Sequence, residues 1–274
     1  MNLPRTVSAA LAMSGLVPLE SKLLLVHVLG RDRAWLAAHG DVALGPAQAR
    51  AYDALVRRRA AGEPVAYLTG RREFFGLDLE ITPDVLIPRP ETELLVELAL
   101  RWLPAQAPAR VLDLGCGSGA VALAIARERP SAAVLGTDLS PQAIALACRN
   151  AERLGIANAC FLESDWFARA PRERFTLLVA NPPYVARDDP HLDEGDLRFE
   201  PKAALVSGSD GLDAVRSIVA GAPAYLASGA YLALEHGYDQ AGAVRSLLRQ
   251  AGLQAVGSER DLAGIERVSY GRQA

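Results

Sequence analysis

The 274-residue sequence has no long apolar run and few cysteines. No stretch approaches the roughly 18 consecutive apolar residues that a membrane-spanning helix needs, and residues 1–5 do not begin a secretion signal. The three cysteines, Cys116, Cys148 and Cys160, lack CxxC spacing, and the four histidines are scattered. This pattern argues against a disulfide framework and against a metal site of the usual spacing. We therefore expect a cytoplasmic protein with reduced thiols, no membrane association and no metal.

A surplus of basic residues is also absent, since 29 Lys and Arg stand against 32 Asp and Glu, for a net charge of -3. Sequence-independent nucleic-acid binding depends on neutralising phosphates with Lys and Arg, so this balance argues against a nucleic-acid partner. Apolar side chains, in contrast, make up 50% of the residues. That content is enough to bury the core of one large domain together with a small one.

Three stretches of different character follow one another along the chain. Residues 1–62 show apolar positions at three- and four-residue spacing, interrupted by glycines, and predict a small helical domain. Residues 63–88 hold two short strand-like runs around Phe74 to Leu77 and several prolines, and predict a hairpin linker. Residues 89–274 alternate strand-like and helical runs, which predicts an α/β domain with a doubly wound, mostly parallel sheet. The strand-like runs are at 110–114, 134–138, 160–163, 177–180 and 231–235.

A glycine-rich loop follows the first of these strand-like runs and leads into a helical segment. Gly115, Gly117 and Gly119 allow the backbone to turn sharply and to approach a ligand at the carboxyl end of a strand. A tight turn without a ligand can have the same composition, so the loop alone identifies no cofactor. The next run ends in Asp138, about 20 residues further on, where a carboxylate can accept hydrogen bonds from both hydroxyls of a ribose.

The form of this loop separates the possible cofactors. Nicotinamide dinucleotides prefer Gly-x-Gly-x-x-Gly, whereas here an acid, Asp113, stands before the first glycine. This form resembles the loop of class I S-adenosylmethionine-dependent methyltransferases, which implies that Asp113 faces the amino-acid portion of the cofactor. Asp165 and Trp166 follow the third run and can bind the edge and the face of an adenine ring. The alternative for Trp166 is a place in the core.

The tetrad Asn181-Pro182-Pro183-Tyr184 directly follows the run at 177–180. An amide nitrogen is a poor nucleophile because its lone pair is delocalised. If the Asn181 side-chain oxygen and the Pro182 carbonyl each accept one N–H, the nitrogen is held in line with a sulfonium methyl group and its electron density rises. The two prolines stiffen the turn, and the Tyr184 ring can lie against a planar group. The tetrad is therefore predicted to bind the substrate, with Asn181, Pro182 and Tyr184 promoting methyl transfer.

Stretches along the whole chain then point to one family. They lie at 63–70, 73–76, 86–93, 113–119, 164–167, 181–184, 199–201 and 234–237. With these stretches the chain resembles the release-factor glutamine methyltransferases (PrmC/HemK), which methylate the glutamine of the Gly-Gly-Gln motif in class I peptide chain release factors. The linker and the Ile-Pro-Arg-Pro-Glu-Thr-Glu segment at 87–93 distinguish this family from other enzymes that carry the same tetrad.

The resemblance implies a seven-stranded methyltransferase sheet, S-adenosylmethionine as co-substrate without a metal, and a class I release factor as the partner of a monomer. Residues 1–62 would recognise that partner. Thr92 and Glu93 either reach the methionine end of the cofactor or cap the helix predicted at 91–102. The implied cofactor contacts are Gly115, Cys116, Gly117, Ser118, Gly119, Asp138, Trp166 and Asn181, with Asp113 and Asp165 beside them.

Two other functions stay open on the residues alone. An adenine exocyclic-amine methyltransferase acting on DNA or RNA would use the same tetrad, although the charge balance and the linker oppose it. A non-enzymatic, cofactor-binding adaptor would require that Asn181 cannot reach the cofactor. Two charged segments have alternative interpretations as well: the arginines at 57–59 form a solvated helix face or a binding patch, and the acidic segment 187–200 is a surface loop or attracts a basic partner.

Overall fold

The computed structural model describes residues 6–274, which form two compact units. One unit spans Met1–Arg71 and Asp193–Phe199, and the other spans Arg72–Leu192 and Glu200–Ala274. The predicted helical domain lies in the first unit, and the predicted α/β domain lies in the second except for Asp193–Phe199. The exact domain limits at residues 62 and 88 stay predictions.

Five helices form most of the first unit: α1 (Val7–Met13), α2 (Pro18–Leu29), α3 (Arg33–Ala38), α4 (Pro46–Ala60) and α5 (Val65–Thr69). Helix α2 ends before Gly30, which adopts a left-handed φ of 61°. This glycine stop is the one that the sequence predicts. Leu24, Leu25 and Tyr52 are among the fully buried core side chains. The helical character of this part of the chain is confirmed, whereas α5 was not expected, since it lies where the sequence predicted the hairpin linker.

Each arginine of the run at 57–59 has an acidic partner within the first unit. The pairs and their N–O distances are Arg57 with Asp53 (2.7 Å), Arg58 with Glu63 (2.5 Å), and Arg59 with Glu20 (2.8 Å) and Asp196 (2.9 Å). The Arg59 side chain is only 19% exposed. Internal pairing of this kind leaves little of the positive charge for a ligand, so the run is better described as an ion-pair cluster than as a binding patch.

The second unit is built on a seven-stranded sheet with the strand order β5-β4-β3-β6-β7-β9-β8. Its strands are β3 (Ala109–Leu114), β4 (Ala132–Asp138), β5 (Ala159–Glu163), β6 (Phe175–Ala180), β7 (Leu226–Glu235), β8 (Gln254–Arg260) and β9 (Glu266–Arg272). Strands β3 to β7 pair in parallel, whereas β9 is antiparallel to both β7 and β8. The predicted doubly wound, mostly parallel sheet is confirmed.

Five α-helices accompany this sheet: α6 (Glu93–Trp102), α7 (Ala120–Glu128), α8 (Pro141–Leu154), α9 (Asp213–Gly221) and α10 (Ala241–Gln250). Short 3-10 helices lie at Pro90–Thr92, Pro190–Asp193, Leu197–Phe199, Lys202–Ala204 and Ala222–Ala224. The ends of α8 follow the predicted signals, since the Ser140 hydroxyl accepts the Ala143 N–H at 3.2 Å and Gly155 ends the helix with a φ of 67°. Over residues 6–274, no helix combines the length and apolarity needed to cross a bilayer.

A two-stranded hairpin, β1 (Arg71–Phe74) and β2 (Leu77–Glu80), precedes the sheet along the chain. Its turn is tight, because Phe75 and Gly76 adopt left-handed φ values of 48° and 71°. The Phe75 N–H donates to Glu93 Oε1 in α6 at 2.9 Å, and Phe74 is 1% exposed. The turn of the hairpin is therefore held by α6 in the second unit.

Candidate active site

The sheet topology brings the carboxyl ends of β3, β4 and β6 together at one edge of the sheet, with the chain segments that follow them. From β3 the chain continues through α7 to β4 on one side, whereas from β6 it continues to β7 on the other. Such a reversal opens a crevice at the carboxyl ends of the strands, where open α/β sheets bind ligands. Leu114 pairs in register with Thr137 and with Ala180. The next residues along each strand, including Asp138 and Asn181, therefore emerge beside the glycine-rich loop.

A cavity of about 430 Å³ lies at this edge, which is within the range of small-molecule and cofactor sites. The predicted residues that line it are Asp113, Gly115, Cys116, Gly117, Ser118, Asp138, Asp165, Trp166, Asn181 and Pro183. Gly119, Pro182 and Tyr184 are not part of the lining that the described residues form. Thr92 lines the cavity, whereas Glu93 does not and instead accepts the hydrogen bond of the hairpin turn.

The glycine-rich loop depends on glycine for its conformation. Gly115, Gly117 and Gly119 have φ values of 74°, 54° and 82°, in the left-handed region that side chains rarely adopt. The N–H groups of Gly115 and Cys116 both donate to the Thr137 carbonyl, at 2.7 and 2.9 Å. These bonds hold the loop on the end of β4, so that its backbone faces the cavity.

Asp138 is held in place by backbone donors on both sides. Its Oδ2 accepts the Gly117 N–H and its Oδ1 accepts the Ser140 N–H, each at 2.9 Å. Burial raises the pKa of this carboxyl, while these two N–H groups act to lower it. Because each carboxylate oxygen has a further lone pair, the group can still accept two hydroxyl donors from a ligand. The geometry suits the ribose contact that the sequence predicts.

Asp113 is 1% exposed, and its Oδ2 accepts the Ala122 N–H in the first turn of α7 at 3.1 Å. Burial, assisted by the charge of Asp138, raises the pKa of the Asp113 carboxyl to about 7, while the Ala122 N–H opposes the shift. The side chain thus stabilises the start of α7 as well as lining the cavity. Its predicted role opposite the amino-acid portion of a cofactor stays a prediction.

Trp166 combines the two alternatives that the sequence left open. Its ring is partly buried against the core of the sheet, and it also lines the cavity. The residue has a left-handed φ of 44°, and the Ser164 hydroxyl donates to its carbonyl at 3.0 Å. The neighbouring Asp165 is exposed and also lines the cavity. Trp166 is therefore a core residue with one side available to a ligand.

The side-chain amide of Asn181 has a defined orientation. Its Nδ2 donates to Thr92 Oγ1 at 3.1 Å, and Thr92 is only 3% exposed. Its Oδ1 is buried and has no hydrogen-bond partner within the part of the chain that the structure describes. A buried acceptor without a partner is costly unless a ligand supplies a donor. The oxygen that the sequence reasoning needs as an acceptor is the atom that this arrangement leaves free.

Tyr184 is held at both ends. Its hydroxyl donates to Glu235 Oε1 at 3.3 Å, and its carbonyl accepts the Gln240 side chain at 3.0 Å. Burial and the nearby Glu235 carboxylate raise the pKa of this phenol above its usual value, so the hydroxyl keeps its proton. Gly211 packs on the Tyr184 carbonyl so closely that a Cβ at this position would lie 2.2 Å from the oxygen.

Sequence reasoning missed two buried polar side chains near the site. Asn150 of α8 is fully buried, and it bonds the Glu80 backbone of β2 at 2.7 and 3.0 Å and the Ser118 carbonyl at 3.0 Å. Glu235 is 1% exposed at the end of β7. A polar residue on the apolar face of α8 was a usable signal for Asn150. Glu235 was noticed only as part of a matching stretch and received no role.

The segments before α6 and after the tetrad also contribute to the cavity, through Asp84, Val85, Leu86, Pro88, Pro201, Ala203 and Ala204. Of these residues, Leu86, Pro88 and Pro201 belong to stretches that match the family and were given no function, and the others were not noticed in the sequence. Arg89 and Glu200 form an ion pair of 2.5 Å between these segments, and the Glu200 side chain is fully buried. The acidic segment 187–200 is therefore not uniformly a solvated loop, because its last acid serves the structure.

Comparison with known proteins identifies the family. Residues 3–70 match the model of the PrmC N-terminal domain, and residues 92–196 match the Methyltransferase small domain. A release factor glutamine methyltransferase from Bordetella pertussis is 56% identical over 262 residues, which cover 95% of this chain and 97% of that protein. This chain belongs to the release factor glutamine methyltransferase family. The resemblance drawn from the sequence stretches is confirmed.

A second relative supports the same membership. The release factor glutamine methyltransferase of Escherichia coli (strain K12) is 47% identical over 253 residues, 92% of this chain and 91% of that protein. Among solved structures, a 16S rRNA methyltransferase from T. thermophilus matches with a TM-score of 0.56 at 23% identity, over 74% of this chain and 50% of that chain. At this identity the structural match shows the shared methyltransferase fold and nothing about substrate.

Proposed function

We propose that this protein transfers the methyl group of S-adenosylmethionine to the side-chain amide nitrogen of the glutamine in the Gly-Gly-Gln motif of class I peptide chain release factors. The observation that carries the proposal is the Asn181 amide, which Thr92 orients so that Oδ1 is left as an acceptor. Asn181 lines the same cavity as the glycine-rich loop. Family membership over more than nine-tenths of the chain supports it further.

The residues present fit S-adenosylmethionine. The left-handed glycines let the loop backbone border the cavity without side chains in the way, and Asp138 retains lone pairs for the two ribose hydroxyls. Trp166 offers an aromatic side and Asp165 a carboxylate for an adenine ring. Asp113 would face the amino-acid portion. These side chains support the predicted cofactor site.

S-adenosylmethionine supplies a methyl group bonded to a positively charged sulfur, which makes that methyl electrophilic. The protein has to supply orientation, because the glutamine nitrogen is weakly nucleophilic. Asn181 Oδ1 accepts one N–H of the substrate amide and the Pro182 carbonyl accepts the other, which turns the nitrogen lone pair toward the methyl group. Tyr184 supports the planar amide from the side. The surplus proton leaves after transfer, so no strong base is required.

The competing functions have less support. An adenine exocyclic-amine methyltransferase acting on DNA or RNA would use the same tetrad, but the net charge of -3 and the curated relatives both oppose it. A cofactor-binding adaptor would need Asn181 away from the cofactor site, whereas Asn181 lines the cavity. We expect the enzyme to act in the cytoplasm as a monomer, without metal or direct nucleic-acid contact, and with residues 1–62 recognising the release factor.

Methyl transfer from labelled S-adenosylmethionine to a purified class I release factor tests this function. We expect label on the intact factor, located on the glutamine of the Gly-Gly-Gln motif by mass spectrometry. The matched control is the same factor with that glutamine replaced by asparagine, which should accept no label. Labelling of DNA or RNA in place of the factor, or labelling of the control factor at the same rate, would refute the proposal.

A further inference from the structure

Asn150 of α8 connects the glycine-rich loop with the hairpin strand β2, and all three elements belong to the second unit. Its side chain is fully buried. Its Oδ1 accepts the Glu80 N–H of β2 at 2.7 Å, and its Nδ2 donates to the Glu80 carbonyl at 3.0 Å. The same Nδ2 donates to the Ser118 carbonyl of the loop at 3.0 Å. One amide group therefore pairs with the backbone of β2 and also holds the loop.

The Ser118 carbonyl lies where the loop leads into α7. Ser118 is 2% exposed, and it follows Gly117, which has a left-handed φ of 54°. In a helix, the N–H four residues later would bond this carbonyl, but the Ala122 N–H donates to Asp113 Oδ2 at 3.1 Å. The Asn150 amide supplies a donor to Ser118. Because a buried carbonyl without a donor is costly, Asn150 favours the loop conformation in which Gly117 and Ser118 line the cavity.

Two ion pairs also join α8 to the hairpin, and both lie nearer the surface. Arg149 is 3.0 Å from Glu80 and Arg153 is 3.5 Å from Asp78, and the four side chains are about one third to two thirds exposed. Exposed ion pairs of this kind contribute little to stability. In the part of the chain that the structure describes, the hydrogen bonds of these arginines go to the hairpin, whereas those of Asn150 also reach the loop.

The geometry of an amide joins these contacts mechanically. The carboxamide of Asn150 is planar, and its single acceptor and both of its donors are in use. A rotation that releases Ser118 therefore also misaligns the two bonds to Glu80. Conversely, a ligand that fixes the loop holds the amide in the orientation that pairs with β2.

We propose that Asn150 is a positioning residue that couples the two elements: S-adenosylmethionine bound at the glycine-rich loop tightens the docking of β2, and docked β2 favours cofactor binding. The inference rests on the proposed function, because it takes S-adenosylmethionine as the ligand of the loop. Coupling of this kind is reciprocal, so each event strengthens the other by the same factor. Asn150 is not among the described residues that line the cavity, and it acts through Ser118.

Hydrogen exchange of the wild type with and without saturating S-adenosylmethionine tests the coupling directly. The comparison uses amides of β2 that exchange faster than those of the central strand β6, because such amides open locally rather than by unfolding of the whole unit. We expect bound cofactor to slow their exchange on the order of tenfold, a typical coupling between two sites. This measurement needs no variant, so it also decides the matter if Asn150→Ala fails to fold.

Asn150→Ala removes all three hydrogen bonds, and Arg149→Gln is the matched control, because it removes an ion pair with the same residue of β2. Asn150→Ala should raise the Kd for S-adenosylmethionine roughly tenfold, and bound cofactor should no longer slow exchange in β2. Its kcat at saturating cofactor should change much less, since Asn150 acts on the loop and not on the reacting groups. Arg149→Gln should keep the wild-type Kd and the wild-type response of β2 to cofactor.

Each contrary result has a defined meaning. A folded Asn150→Ala with the wild-type Kd would overturn the positioning of the loop. Amides of β2 that ignore the cofactor in the wild type, or respond equally in Asn150→Ala, would overturn the coupling. An equal loss of response in Arg149→Gln would assign the effect to hairpin docking in general and overturn the role of Asn150. Cofactor binding without methylation of release factor would refute the proposed function and leave this test intact, whereas a wild type that binds no S-adenosylmethionine would overturn both.

Discussion

Replacing Asn181 by alanine tests the proposed chemistry most directly. The change removes Oδ1, the buried acceptor without a partner, and also frees Thr92 of its amide contact. Removing one preorganised polar group from an active site typically costs about 3 kcal/mol in the barrier, which corresponds to a fall in rate of about 100-fold. The glycine-rich loop and Asp138 keep their own hydrogen bonds, so cofactor affinity should weaken only moderately.

The assay is single-turnover methylation of intact release factor with saturating labelled cofactor, combined with calorimetry of cofactor binding. Asn181→Ala should lower the rate of the chemical step by about two orders of magnitude while the Kd for S-adenosylmethionine changes by less than about tenfold. Asn181→Asp is the matched comparison, because it retains an oxygen at Oδ1 but places a second acceptor against Thr92. A near-normal rate in Asn181→Ala would refute the mechanism in which this oxygen orients the substrate amide.

Three other substitutions address the supporting structure. Asp138→Ala should weaken S-adenosylmethionine binding by roughly tenfold to hundredfold, because two acceptors for hydroxyl donors are lost; unchanged affinity in calorimetry would show that the ribose assignment is wrong. Asn150→Ala should lower both the unfolding temperature and cofactor affinity, because three hydrogen bonds to Glu80 and Ser118 disappear together; a normal cofactor Kd would separate Asn150 from the loop. Gly211→Ala should destabilise the fold far more than Gly252→Ala. Both glycines have a φ near 80°, but only a Cβ at position 211 would meet atoms within 4 Å. Equal shifts of the unfolding temperature in the two variants would contradict this packing argument.

The parts of the fold that could be predicted are those encoded locally. Strands β3 and β6 are apolar runs followed at once by the glycine-rich loop or the tetrad, and α8 carries its own start and stop signals. The C-terminal strands were different. Every residue of β8 is half-buried or exposed. The strand therefore lacks the alternation of buried and exposed residues that predicts a strand with one buried face. Only the expected seven-stranded sheet of the family indicated that such strands exist.

The site residues likewise include some that a local sequence pattern predicts and others that it does not. Asn181 and Asp138 follow strands directly, and this placement is visible in the sequence. The connection from Asn181 to Thr92 spans 89 positions, and that from Tyr184 to Glu235 spans 51. Such contacts depend on which strands become neighbours and in which register, and single-sequence patterns do not contain that information. Glu235 has no local pattern that sets it apart from any acid at the end of a strand.

Because β9 lies between β7 and β8, the sheet cannot be completed in the order in which its strands are synthesised. Strand β8 is synthesised before β9, yet β9 is the strand that separates it from β7. Until β9 arrives, β7 exposes a row of unpaired backbone groups, which is an edge prone to wrong pairing. Glu235 pairs in register with Val268 of β9. The backbone that carries Glu235, the hydrogen-bond acceptor of the Tyr184 hydroxyl, therefore becomes fixed only after β9 has been synthesised and has entered the sheet.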